Sequence, residues 1–246
     1  MRFRGENPVY KYGNYEEAYS DTDAATYTGV AVKTGLLLAI IAFSALYFAS
    51  TLSFSTFSAI TLAPIIAAPI IAIIAVIMTH RMPQIAFATS ILYAICEGVF
   101  LGFISALFAF AYGGEIVQMA LIGTFGVLAG MLFLYSTGTI RVGSFFRKFM
   151  FSMLIGLIFA SLGLLLLSFT SLLSFAAFDT LYVGIVVISV VISSLFLLVD
   201  FDNITRYVES SAPKQYEWSL SLGLVVTIVW IYIELLRFFA ILARRN

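Results

Sequence analysis

Hydrophobic residues in this chain gather into seven runs of roughly 20 residues, set apart by short polar or turn-forming stretches. A run of about that length is what an α-helix needs to cross the ~30 Å hydrocarbon layer of a bilayer. The runs lie near 30–50, 57–79, 86–110, 116–136, 149–170, 178–200 and 217–242. Between them stand a Ser-rich stretch at 50–56, His80-Arg81-Met82-Pro83, Gly113-Gly114, and the segments 138–148, 168–174 and 202–214. Connectors this short predict antiparallel neighbours in a compact bundle. The fold class is therefore all-α, a polytopic membrane protein built as a seven-transmembrane-helix bundle. Pro64 and Pro69 fall inside the second run, where each removes a helix hydrogen bond and predicts a kink. Small residues one turn apart, Gly98 with Gly102, Gly126 with Gly130 and Gly156 with Ala160, predict close approach of helix backbones.

Residues 1–27 break the pattern. They are polar, mildly acidic and carry five tyrosines, Tyr10, Tyr12, Tyr15, Tyr19 and Tyr27. They are expected to form a flexible tail, with a short surface turn of helix near 14–19, ahead of one membrane domain over 28–246. No basic start leads directly into a short apolar core, so the tail does not read as a cleavable signal.

Composition sharpens this picture. Of 246 residues, 62% are hydrophobic and only 11% charged, against about 25% charged in a soluble domain. Thirteen basic and thirteen acidic residues cancel, which gives no support to nucleic-acid binding. The single cysteine, Cys96, excludes an internal disulfide or a cysteine-based zinc cluster. With the tail taken as cytoplasmic, that side carries Arg2, Arg4, Lys11, Lys33, Arg81, Arg141, Arg147, Lys148, Arg206 and Lys214, and the opposite connectors carry none. That bias predicts a cytoplasmic amino end; Arg237, Arg244 and Arg245, at the far end of a seventh crossing, run against it.

Several chemistries are excluded. Retinal binding needs a Schiff-base lysine in the last span, and the lysines stand at 11, 33, 148 and 214, at or beyond span ends. A zinc intramembrane protease needs His-Glu-x-x-His, whereas the one histidine, His80, lies in a connector. The same histidine is too far out to serve a buried serine, and there is no Gly-x-Gly-Asp motif for an aspartyl protease. The chain is not expected to be an enzyme or to hold a resident cofactor.

Ionisable residues inside a bilayer mark pathways, gates or structural pairs. Glu97 lies roughly 17 Å into its span at 1.5 Å per residue; it reads either as a cation or proton relay or as a lock between helices. Glu234 and Arg237 sit three apart on one face of the last span. They form an ion pair within that helix, or Arg237 leans back and bridges to Glu97, closing an exit. Asp200 and Asp202, in Leu197-Leu-Val-Asp-Phe-Asp-Asn-Ile204, are expected to end the sixth span. They read as a water-facing helix end or as a cation mouth that holds calcium weakly and transiently, since hard cations favour carboxylate oxygens.

The chain resembles the Bax inhibitor family (transmembrane Bax inhibitor motif, including its YccA-like members), and most of all its longer-tailed bacterial branch. The resemblance rests on Asn7-Pro-Val-Tyr, Thr26-Tyr-Thr-Gly-Val-Ala-Val-Lys-Thr-Gly-Leu-Leu-Leu38, Glu97-Gly-x-x-Leu-Gly102, Asp200 and Trp230-Ile-Tyr-Ile-Glu-Leu-Leu-Arg237. It implies seven helices with a central last helix, a pH-sensitive calcium leak, and protection from stress. One departure matters. The family pairs an aspartate at the position of Asp200 with a second on the last helix, where this chain has Thr227. A threonine cannot share a proton with Asp200, so Glu234, two turns beyond Thr227 on the same face, or Asp202 is the remaining source of a second acid. The expected function is a passive cation conduit in a bacterial inner membrane, with Asp200 and Asp202 at its cytoplasmic mouth and Glu97, Glu234 and Arg237 forming an inner closure. The alternative is a non-conducting regulator of a membrane protease or stress machinery that docks through the tail.

Overall fold

The computed structural model describes residues 24–52, 59–140, 142–170 and 174–245. The body of the expected tail, 1–23, and most of the Ser-rich stretch lie outside the described residues. Seven α-helices occupy the rest: α1 Tyr27–Thr51, α2 Ala59–Arg81, α3 Ala86–Tyr112, α4 Glu115–Ser136, α5 Ser144–Ser168, α6 Phe175–Glu209 and α7 Tyr216–Arg245. A 3₁₀ turn, Pro83–Ile85, links α2 to α3. All seven contain a stretch long and apolar enough to cross a membrane, and the protein is an integral membrane protein.

The ends follow local chemistry. Thr26 caps α1, its hydroxyl accepting the Gly29 N–H at 2.9 Å, and Ser174 caps α6 through the Ala177 N–H at 3.3 Å. Each cap satisfies a backbone donor that the helix itself leaves open. Pro64 and Pro69 do not end α2, which continues through both. The sixth helix corrects the sequence expectation. It runs to Glu209, so Asp200 and Asp202 lie within it and not at its end. An apolar run marks only the lipid-embedded part of a helix, while backbone hydrogen bonding continues beyond it.

The last helix is the axis of the bundle. In α7, 67% of the membrane-crossing stretch is buried, against 17–44% in the other six. Leu222, Val225, Ile231 and Leu236 of α7 are fully enclosed and share one core with Leu37, Ala94, Ala120 and Leu197 from α1, α3, α4 and α6. The α5 helix stands outside this ring against α6, where Met150, Ile192, Phe196 and Val199 form a second cluster covered by Trp230. Phe43, Phe133, Phe159 and many other large apolar side chains point outward, as a lipid-facing wall requires.

Glycine positions test the packing expectation. A Cβ at Gly98 would stand 2.7 Å from the Ile41 carbonyl oxygen, and one at Gly102 would stand 3.0 Å from the Ala45 Cα. These two glycines let α3 close onto α1. By contrast, a Cβ at Gly126, Gly130 or Gly156 would meet nothing within 4 Å, so close backbone approach does not explain them among the described residues. Gly98→Ala should therefore cost about 1–3 kcal/mol through forced separation of the helices. Gly126→Ala should be neutral or slightly stabilising, because alanine is the better helix former. Thermal denaturation in detergent distinguishes the two; equal melting points would remove the distinction.

Candidate functional site

Aromatic and hydroxyl contacts fix the depths of the central helices. Phe87 and Trp218, one residue into α3 and two into α7, meet edge to face at 4.9 Å between centroids. The Ser219 hydroxyl donates to the Thr79 carbonyl at 3.3 Å, and deeper in the bundle Ser105 and Tyr232 share a 2.7 Å hydrogen bond. The beginnings of α3 and α7 are therefore side by side. Glu97 and Thr227 each lie eleven residues into their helices, so both sit roughly 16 Å from that end at 1.5 Å per residue.

At that level two acidic groups flank α7. Across the α6–α7 contact, the Asp200 carboxyl faces Thr227, whose hydroxyl donates to the Gly223 carbonyl of its own helix at 3.4 Å. Its Oδ2 atom is buried with no hydrogen-bond partner. On another side of α7, Glu97 is 8% exposed and is the charged group in a cavity of about 370 Å³ whose walls include Pro69, Val76, Tyr93, Phe100 and Val226. Buried polar atoms are normally paired. An unpartnered carboxylate oxygen therefore has unused capacity for a proton, a water or a cation.

The remaining expected site residues lie elsewhere. Asp202 faces α5, its Oδ2 accepting from Arg206 Nε at 2.7 Å and from Arg147 of α5. Asp200 and Asp202 thus do not form one mouth; two residues apart on a helix, they face different neighbours. The bridge from Arg237 to Glu97 is also corrected. Arg237 Nη1 donates to Glu234 Oε1 at 3.4 Å, within its own helix. Arg237 is 21 residues into α7, roughly 15 Å beyond the level of Glu97, which is further than its side chain spans. Glu234 keeps company with Trp230, whose indole N–H donates to the same Oε1 at 3.2 Å. Glu234 and Arg237 both line a cavity of about 620 Å³ between α5, α6 and α7.

A further buried charge was not singled out from the sequence. Glu217, at the start of α7, is fully enclosed at 0% exposure. It accepts the Thr26 N–H at 2.8 Å and the Thr26 hydroxyl at 3.1 Å, and pairs with Lys33. The Lys33 ammonium also lies 5.4 Å from the Trp218 ring centroid, within cation–π range. Gly29 leaves room for this arrangement, since a Cβ there would displace the Glu217 carboxylate from its present position. The signal was available as a glutamate in a helix's first turn, where the dipole favours it, opposite a lysine at the matching end of α1.

Among the described residues, no group of three or more His, Cys, Asp or Glu side chains gathers to hold a metal ion. A family model described as Bax inhibitor 1 like matches residues 7–244. No curated protein matches the chain.

Proposed function

The chain belongs to the Bax inhibitor 1-like family, and on that premise we propose that it is a passive cation leak, for calcium first, in which Asp200 is the principal intramembrane acid. The observation that carries this reading is the buried, unpartnered Asp200 Oδ2 beside Thr227 on the central helix. Calcium is held by oxygen ligands in flexible geometry, and a single free carboxylate supports passage better than tight retention. Glu97, at a similar depth on another side of α7, is the second acidic station. Asp202, held by Arg147 and Arg206, ties α5 to α6 beside the entrance. Glu234 and Arg237 form the polar closure further along α7. Having Thr227 where the family carries a second aspartate means that any pH sensitivity rests on Asp200 and Glu97 separately and not on a shared proton. The Lys and Arg bias supports a cytoplasmic amino end in a bacterial inner membrane.

Proteoliposomes loaded with a calcium indicator test the proposal. Calcium flux above that of empty liposomes is the expected result. No flux above the empty control anywhere from about pH 5 to pH 8 would reject conduction in favour of a regulator of a protease or stress machinery.

A further inference from the structure

The cavity between α5, α6 and α7 has a polar end and an apolar end. Its polar end is built by Trp230, Glu234 and Arg237, with Tyr182 of α6 also in the wall; its apolar walls include Leu154, Leu157 and Ile158. Helix positions give these groups their depths. Arg237 lies 21 residues into α7, roughly 31 Å from that helix's start, at the level where one hydrocarbon thickness has been crossed. Leu154 lies ten residues into α5, roughly 15 Å along it, near the middle of the bilayer. The cavity therefore runs from headgroup depth inward. Ile158 and Leu165, which line it, are themselves more than half exposed, so it opens at the lateral surface of the bundle.

The charges at the polar end are arranged unevenly. Glu234 Oε1 accepts from both Trp230 and Arg237. Its other oxygen, Oε2, is buried and has no partner, on a residue only 6% exposed. Arg237 is 45% exposed at its side chain and makes one long contact of 3.4 Å, although a guanidinium offers five donors. A free carboxylate oxygen thus stands beside an under-used cation. The matching ligand carries an anion and a hydrogen-bonding cation a short distance apart, on an apolar chain.

We infer that this cavity holds a phospholipid with a primary ammonium headgroup, its phosphate on Arg237, its ammonium donating to the Glu234 carboxylate, and part of one acyl chain along Leu154, Leu157 and Ile158. At about 620 Å³ the cavity has the size of a small-molecule site, so the second chain stays in the bilayer. A choline headgroup has no N–H to donate to Glu234. A glycerol headgroup can set its phosphate on Arg237 but brings no cation to the Glu234 carboxylate. The site therefore selects among lipids by headgroup and not merely by chain.

Native mass spectrometry on the delipidated full chain tests this. Phosphatidylethanolamine, phosphatidylcholine and phosphatidylglycerol of identical acyl composition are added in equal amounts. The expected result is at least fivefold more retained phosphatidylethanolamine than either competitor. Glu234→Gln should bring phosphatidylethanolamine down to the level of phosphatidylcholine, and Arg237→Met should lower retention of all three. Ser161→Phe, which obstructs the cavity wall and spares the ion pair, should abolish the preference even if the charge variants fail to fold. Equal retention by the unaltered protein, a preference for phosphatidylglycerol, or a preference that survives Ser161→Phe would each overturn the assignment.

Discussion

Replacing Asp200 by Asn should slow calcium flux through proteoliposomes by at least about tenfold. The substitution keeps size and shape while removing a full charge from a position where its Oδ2 has no competing partner. Two unit charges 4 Å apart interact by about 4 kcal/mol at an effective dielectric constant of 20, and calcium carries twice the charge of a monovalent ion. Loss of even about 1.4 kcal/mol of that attraction at the highest barrier corresponds to tenfold in rate. Thr227→Val, which removes only the neighbouring hydroxyl and leaves the carboxylate in place, should change the rate by no more than about fivefold, the equivalent of the roughly 1 kcal/mol that one hydrogen bond contributes. An unaltered rate in Asp200→Asn, with wild-type elution and helicity, would remove Asp200 from the pathway.

The second large effect is on stability. Glu217→Ala should destabilise the bundle by about 3 kcal/mol, since removing one partner of a buried pair strands the other. The stranded groups here are the Lys33 ammonium and the Thr26 N–H and hydroxyl. The loss should appear as a lower melting temperature in detergent. Combining Glu217→Leu with Lys33→Met should recover much of it, because an apolar pair of similar volume often replaces a buried ion pair without loss. If Glu217→Ala melts at the wild-type temperature, the contact between α1 and α7 does not depend on this pair.

Much of the architecture was legible because lipid imposes a simple rule. A helix crossing it must be apolar for about 20 residues, and all seven runs became helices. Close backbone approach at Gly98 and Gly102 also followed from spacing, although the spacing did not name α1 as the partner and the same spacing at Gly126 and Gly130 gave no such contact. What failed was relative depth and rotation. The proposed bridge between Glu97 and Arg237 required α3 and α7 to be offset by about three turns, yet the contact of Phe87 with Trp218 sets their beginnings level. Hydropathy locates a span only to within a few residues, and a few residues at 1.5 Å each decide whether two charges meet. Asp200 and Asp202 were misplaced for a related reason, because the polar extension of α6 looked like a loop. Thr227, Trp230, Glu234 and Arg237 do recur along one side of α7, and the structure turns that side toward α6 and α5.

Having its axis formed by α7 gives this protein an unusual order of assembly. Six helices leave the ribosome before the one that forms the axis of the bundle, since synthesis runs from the amino end at about 5–20 residues per second. Until the seventh arrives, Asp200 and Glu97 have no central helix beside them, and Lys33 lacks its carboxylate. An intermediate with ionisable groups turned toward lipid is costly, so the nascent chain has reason to stay with the insertion machinery until α7 enters and completes the bundle.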